Sequence, residues 1–145
     1  MNDIAQLKSR TKHCYVCGAE NPSGLQIPFR PDGDGGSVAT YAAKPEHQGW
    51  PGVLHGGLAF SLMDEALGWA LYFQGLAGVT ARVEARFRQP IRIGTSMTIR
   101  AWTVKRHRKL VAARAEIRGN FEAQPLLAEA DATMYLLDGI EGENT

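Results

Sequence analysis

The chain has 145 residues, 44% of them hydrophobic, with 16 basic side chains against 15 acidic ones and a formal net charge of +1. That length predicts one domain with room for a real core, and the near-neutral balance excludes an electrostatic pull toward nucleic acid or acidic membrane surfaces. Asp64 and Glu65 interrupt the longest apolar run, so no membrane span is expected, and the polar opening MNDIAQLKSRTKH lacks a signal segment, which makes a cytoplasmic protein the expectation.

Residues 1–24 read as a lead-in: a loose or short helical stretch over 1–13, then a turn-rich segment with Gly18, Asn21, Pro22 and Gly24. This segment holds both cysteines, Cys14 and Cys17, in HCYVCG. Three readings of the pair are open. It is two reduced, partly buried thiols in a turn, half of a zinc site with His13 as a third ligand, or a redox dithiol. A closed zinc site takes four ligands and no second CxxC follows, so no metal is expected; the redox motif usually follows a strand in a βαβ unit, which is not seen here.

Residues 25–30 alternate weakly and predict a strand, PDGDGG at 31–36 a hairpin turn, and 37–43 the returning strand. The loop KPEHQGWPGVL at 44–54 leads into HGGLAFSLMDEALGWALYF at 55–73, the clearest helix, which GLAG at 75–78 stops. Then Val79, Ala81, Val83, Ala85 and Phe87 form one face of a strand, with Thr80, Arg82, Glu84, Arg86 and Arg88 on the other. Residues 95–104, 110–118 and 126–137 predict three more strands, with KRHRK at 105–109 and Gly119-Asn120 as turns, and the tail at 138–145 is expected to fray.

Strands and helix do not alternate, so a parallel doubly wound sheet is excluded and an α+β fold with an antiparallel sheet is expected. A helix apolar on nearly all sides needs cover nearly all round. A strongly curved antiparallel sheet wrapped around one long central helix supplies it. The sequence contains no internal repeat or low-complexity segment.

The helix carries the chemistry. A carboxylate amid apolar residues is costly unless it has a task. Desolvation among Leu62, Met63 and Leu67 would make Asp64 a better base. Gly56-Gly57 leave bare backbone N–H groups at the positive end of the helix dipole, where a developing oxyanion can sit. Along one helix His55 and Asp64 lie about 13 Å apart on opposite faces, and Gly56 and Asp64 about 12 Å apart. One carbonyl cannot reach both, so if they cooperate the second group comes from another copy of the chain. Arg86, Arg88, Arg92 and the run at 105–109 suit phosphates, or simply form a solvated face. Leu54, Phe60, Met63, Trp69 and Phe73 either receive an acyl or aryl group or are ordinary core.

The strings HQGWPGVLHGGLAFSLMDEALG and VTARVEARFRQPIRIG resemble the hot-dog fold acyl-CoA thioesterases of the phenylacetate-pathway (PaaI-like) type, within the 4-hydroxybenzoyl-CoA thioesterase superfamily. The resemblance covers residues 25–137 and implies a hot-dog domain there. It implies that Asp64 is the catalytic carboxylate, acting as nucleophile or as general base for water. Gly56 would polarise the thioester carbonyl through its N–H, with His55 nearby, Gln48 facing the thioester and Thr80 near the acid or water. Gly57, Arg88, Arg106 and Arg108 are the expected substrate and CoA contacts. The resemblance further implies an acyl-CoA substrate, no separate cofactor, and a homodimer, itself paired into a dimer of dimers. A non-catalytic acyl-CoA-binding or regulatory module and a hot-dog dehydratase or hydratase are the alternatives on the same fold.

Overall fold

One long helix and six strands make up the computed structural model, which describes residues 11–137. The expectations for residues 1–10 and for the tail at 138–145 lie outside the described residues. In chain order the elements are β1 (Arg30–Asp32), β2 (Gly36–Ala42), a 3-10 turn (Pro45–His47), α1 (Gly56–Tyr72), β3 (Gly78–Phe87), β4 (Ser96–His107), β5 (Leu110–Gly119) and β6 (Leu126–Leu136). All neighbouring strands pair antiparallel, in the order β1-β2-β4-β5-β6-β3. Every strand contacts α1, so the sheet curves around the helix, which is the hot-dog arrangement.

The alternation of the sequence explains the core. Ala128, Ala130, Ala132, Met134 and Leu136 of β6 point inward with Met97, Ile99 and Ala101 of β4 and Val111, Ala113, Ala115 and Ile117 of β5. Against them α1 buries Ala59, Leu62, Met63, Ala66, Leu67, Ala70 and Leu71. Cover is not complete, however. Gly57, Phe60, Ser61, Asp64 and Gly68 share the opposite side of α1 and remain at least partly exposed.

The strand expected at 25–30 is replaced by β1 at Arg30–Asp32, which shares only Arg30 with it and takes Pro31 and Asp32 from the expected turn at 31–36. Gln26 takes φ 53, outside the extended region, and Pro28 has no N–H to give a ladder. Instead the Leu25 and Ile27 N–H groups donate to the carbonyls of Tyr15 and Val16 at 2.8 and 2.9 Å, fastening the CxxCG turn to the core. The polar run at 105–109 is mostly strand rather than turn. Lys105, Arg106 and His107 pair with Ala112, Val111 and Leu110, leaving only Arg108, at φ 57, and Lys109 to reverse the chain.

Candidate functional site

The start of α1 is built around His55. As N-cap it accepts a 2.9 Å hydrogen bond on Nδ1 from the Gly57 N–H. Its own N–H donates to the His47 carbonyl at 3.0 Å, and the buried His47 ring is hydrogen-bonded through Nδ1 to the Tyr41 hydroxyl. Gly49 and Gly57 flank the His55 ring so closely that a Cβ on either would stand 3.0–3.4 Å from His55 atoms. The packing explains why glycines stand there. Since Nδ1 accepts, the hydrogen-bond pattern assigns the ring proton of neutral His55 to Nε2.

In the first turn the Leu58 and Ala59 N–H groups reach the His55 carbonyl and Gly57 reaches the His55 ring. Gly56 N–H is the one donor of that turn without a partner among the described residues. Beside it Gly49, Trp50, Leu54, His55, Gly56 and Gly57 line an open cleft. Gln48 stands at the rim in a short bridge to Leu54, but its Oε1 accepts from the Gly52 N–H at 3.0 Å, so it braces the loop.

Two turns along α1, Asp64 meets Thr80, whose hydroxyl donates to Oδ1 at 2.7 Å. Simple alternation puts Thr80 on the arginine-bearing face of β3. The structure puts a bulge between Thr80 and Arg82, leaving Ala81 unpaired in the register with β6. Thr80 therefore turns toward the helix while Val83 and Ala85 still pack on the core, and Val79 is 49% exposed. Asp64 is not buried, as the apolar run suggests, but half-exposed. Leu62, Met63 and Leu67 are buried in the core, whereas Asp64 lies toward the uncovered side with Gly57, Phe60, Ser61 and Gly68.

The basic residues separate into two groups. Arg88 is held by the buried carboxylate of Glu129 at 2.6 Å, which Arg114 also contacts. Arg106 and Arg108 sit at the β4–β5 turn, where the Arg106 side chain donates to the Arg108 carbonyl at 3.1 Å. Arg106 and Thr103 line a surface pocket with Gln74, just beyond the C-terminal end of α1, so within one protomer this cluster lies at the opposite end of the helix from Gly56.

Sequence reading does not find the neighbourhood of Glu65. Cys14 donates through Sγ to Glu65 Oε1 at 3.3 Å, and Cys17 is in the same group, whereas His13 is exposed and outside it. Burial first, and then the Glu65 carboxylate, push the Cys17 thiol well up. The partners are 51 positions apart, and no local pattern announces such a pairing. No disulfide joins the two cysteines.

The thioesterase superfamily model matches residues 51–120, from the loop before α1 to the end of β5. No curated protein matches the sequence. A thioesterase superfamily protein of known crystal structure aligns at TM-score 0.78 and 24% identity over 84% of this chain, which spans only 62% of that protein's length. The Escherichia coli PaaI protein from the phenylacetic acid degradation operon aligns at TM-score 0.78 and 23% identity over 91% of this chain and 94% of its own. A hypothetical thioesterase from Streptococcus pneumoniae, crystallised with coenzyme A, aligns at TM-score 0.70 and 23% identity over 76% of this chain and 87% of its own. The likeness to these structures is one of fold, and with the superfamily match it bears out the resemblance to hot-dog fold thioesterases. Among the described residues no helix is long and apolar enough to cross a membrane.

Proposed function

We propose that the chain hydrolyses the thioester of an acyl-CoA to a free acid and CoA. The observation that carries this reading is the hydrogen-bonded Thr80–Asp64 pair on the uncovered face of a core helix. The Thr80 hydroxyl occupies Oδ1 and leaves Oδ2 to take a proton from water. That water adds to the thioester carbonyl. The resulting oxyanion rests on the Gly56 N–H, with His55 Nε2–H as a second donor. The tetrahedral adduct collapses by breaking the carbon–sulfur bond, and thiolate leaves readily without a strong acid.

The two halves of this chemistry come from two chains. Gly56 and Asp64 lie about 12 Å apart along one helix, too far for one carbonyl. The helix face bearing Gly57, Phe60, Ser61, Asp64 and Gly68 and the outer edge of β3 together offer the surface for a second copy. The Streptococcus pneumoniae protein supports the assignment of the pair. Its variant structures carry alanine at an aspartate and, separately, at a threonine sixteen positions further on, the same separation as Asp64 and Thr80. Its bound coenzyme A points to the substrate class. Arg106 and Arg108, in no ion pair among the described residues, would meet the nucleotide phosphates; Arg88 could do so only by sharing its guanidinium with Glu129.

A thiol-release assay across short, long and aromatic acyl-CoAs tests the reading. Release is expected, and Asp64→Asn or Asp64→Ala should lower it at least about a hundredfold with the melting temperature preserved. Near-full activity in either variant overturns the assignment. Binding without release points to a carrier or regulatory module, and loss of an enoyl thioester without free thiol points to a hydratase.

A further inference from the structure

Cys14, Cys17 and Glu65 converge although thioester hydrolysis uses none of them. One sulfur from each cysteine and one Glu65 carboxylate oxygen all lie within 4.8 Å of one another. Around a tetrahedral ion with bonds of about 2.0–2.3 Å, neighbouring donor atoms stand roughly 3.3–3.8 Å apart. The Cys14–Glu65 distance of 3.3 Å already fits, and the other separations need to close by no more than about 1 Å.

The positions of the three groups are built in. The cysteines lie on a turn closed by Gly18 N–H to the Cys14 carbonyl and Glu20 N–H to the Lys12 carbonyl, each at 2.9 Å. Gly18 is obligatory there, because a Cβ would fall 2.5 Å from the Cys14 nitrogen. The turn is fastened to the core through Leu25 and Ile27, and Glu65 is fixed in mid-helix. Among the described residues no lysine or arginine is paired with Glu65, whose hydrogen-bond partner is the Cys14 thiol. Two thiolates favour a zinc-like ion over magnesium or calcium.

We propose that Cys14, Cys17 and Glu65 hold a thiophilic divalent cation, Zn2+ by the chemistry of the donors, with solvent in the fourth position. Glu65 is thus the third ligand that the CxxC pair lacks in sequence. Loading releases the two thiol protons to solvent. It would staple the lead-in to the middle of α1, one residue from Asp64, and does not depend on what reaction Asp64 performs.

The test uses the full chain, purified under reducing conditions, stripped with a chelator and dialysed against Zn2+ or Co2+. About one ion per chain is expected, with a thiolate-to-cobalt charge-transfer band. Cys14→Ser and Cys17→Ser should each abolish the band, and Glu65→Gln should weaken binding at least about tenfold. Zn2+ should raise the melting temperature of the native sequence and not that of Cys14→Ser. A folded native chain that retains no ion and shows no cobalt band overturns the proposal, and that measurement decides even where a variant fails to fold. So does a Cys14–Cys17 disulfide that persists under reducing conditions, unchanged binding in the cysteine double variant, or unweakened binding in Glu65→Gln.

Discussion

At Gly56 nothing packed around the backbone among the described residues calls for glycine. A Cβ there would meet no atom within 4 Å and the backbone is not left-handed, so packing does not demand glycine. Gly56→Ala should fold with an unchanged or slightly raised melting temperature, since alanine is the better helix former. Thioester hydrolysis should fall about 10²-fold as the methyl blocks the carbonyl from its donor. A large loss of stability would show that packing is the reason after all. Thr80→Val keeps the shape and removes the donor to Asp64. We expect kcat to fall about tenfold at constant KM and melting temperature, with Thr80→Ser restoring it; an unchanged kcat would reduce the bond to packing. The placement of His55, Gly56 and Asp64 on one helix is legible in sequence because it is local. The orientation of Thr80 is not, because a single bulged residue reverses the alternation, and Glu65 is not, because its partners arrive from 51 positions away.

Among the elements, β6 carries the one buried acid of the sheet. Glu129 sits on the side of β6 away from α1, where Arg88 beyond β3 and Arg114 of β5 converge on it, and Arg114 also pairs with Asp131 at 2.9 Å. The Arg88 guanidinium, seconded by that of Arg114, holds the Glu129 carboxyl below the usual carboxylate range against the opposing effect of burial. A carboxyl depressed in the folded state stabilises at pH above its unfolded value, and that stability is lost as pH falls through the folded one. Melting temperature should therefore drop on acidification below about pH 4. Glu129→Gln should melt lower at neutral pH and lose less on acidification; parallel acid limbs in the two proteins would exclude Glu129 as the cause. Period-two alternation makes the cores of β4, β5 and β6 legible, since their inward residues are buried, whereas β3 only packs Val83 and Ala85 against the core. Their ends are less so: the charged run of β4 stays paired to His107, past a bulge at Val104, because pairing with β5, not side-chain polarity, decides where the strand stops.

At the scale of the molecule, the order β1-β2-β4-β5-β6-β3 sends the first strand after the helix to the far edge of the sheet. No local pattern dictates that placement; it follows from pairing between β3 and β6, at opposite ends of the post-helix sequence. The result is a ten-residue edge strand beside a helix flank that the protomer leaves uncovered. An exposed edge of that length is a template for pairing with another chain, and a two-fold pairing would bring the Gly56 end of each helix toward the Asp64 of its neighbour. This makes a distinctive prediction for mixtures. Asp64→Asn and Gly56→Ala should each be nearly inactive alone. In a mixed dimer one site combines both defects, while the other takes Asp64 from the second variant and Gly56 from the first and is intact. Random reassociation makes half the dimers mixed, each with one good site of two, so activity should recover to about one quarter of the native level. Were Gly56 and Asp64 of the same chain to serve one carbonyl, every site would carry a defect and mixing would restore nothing.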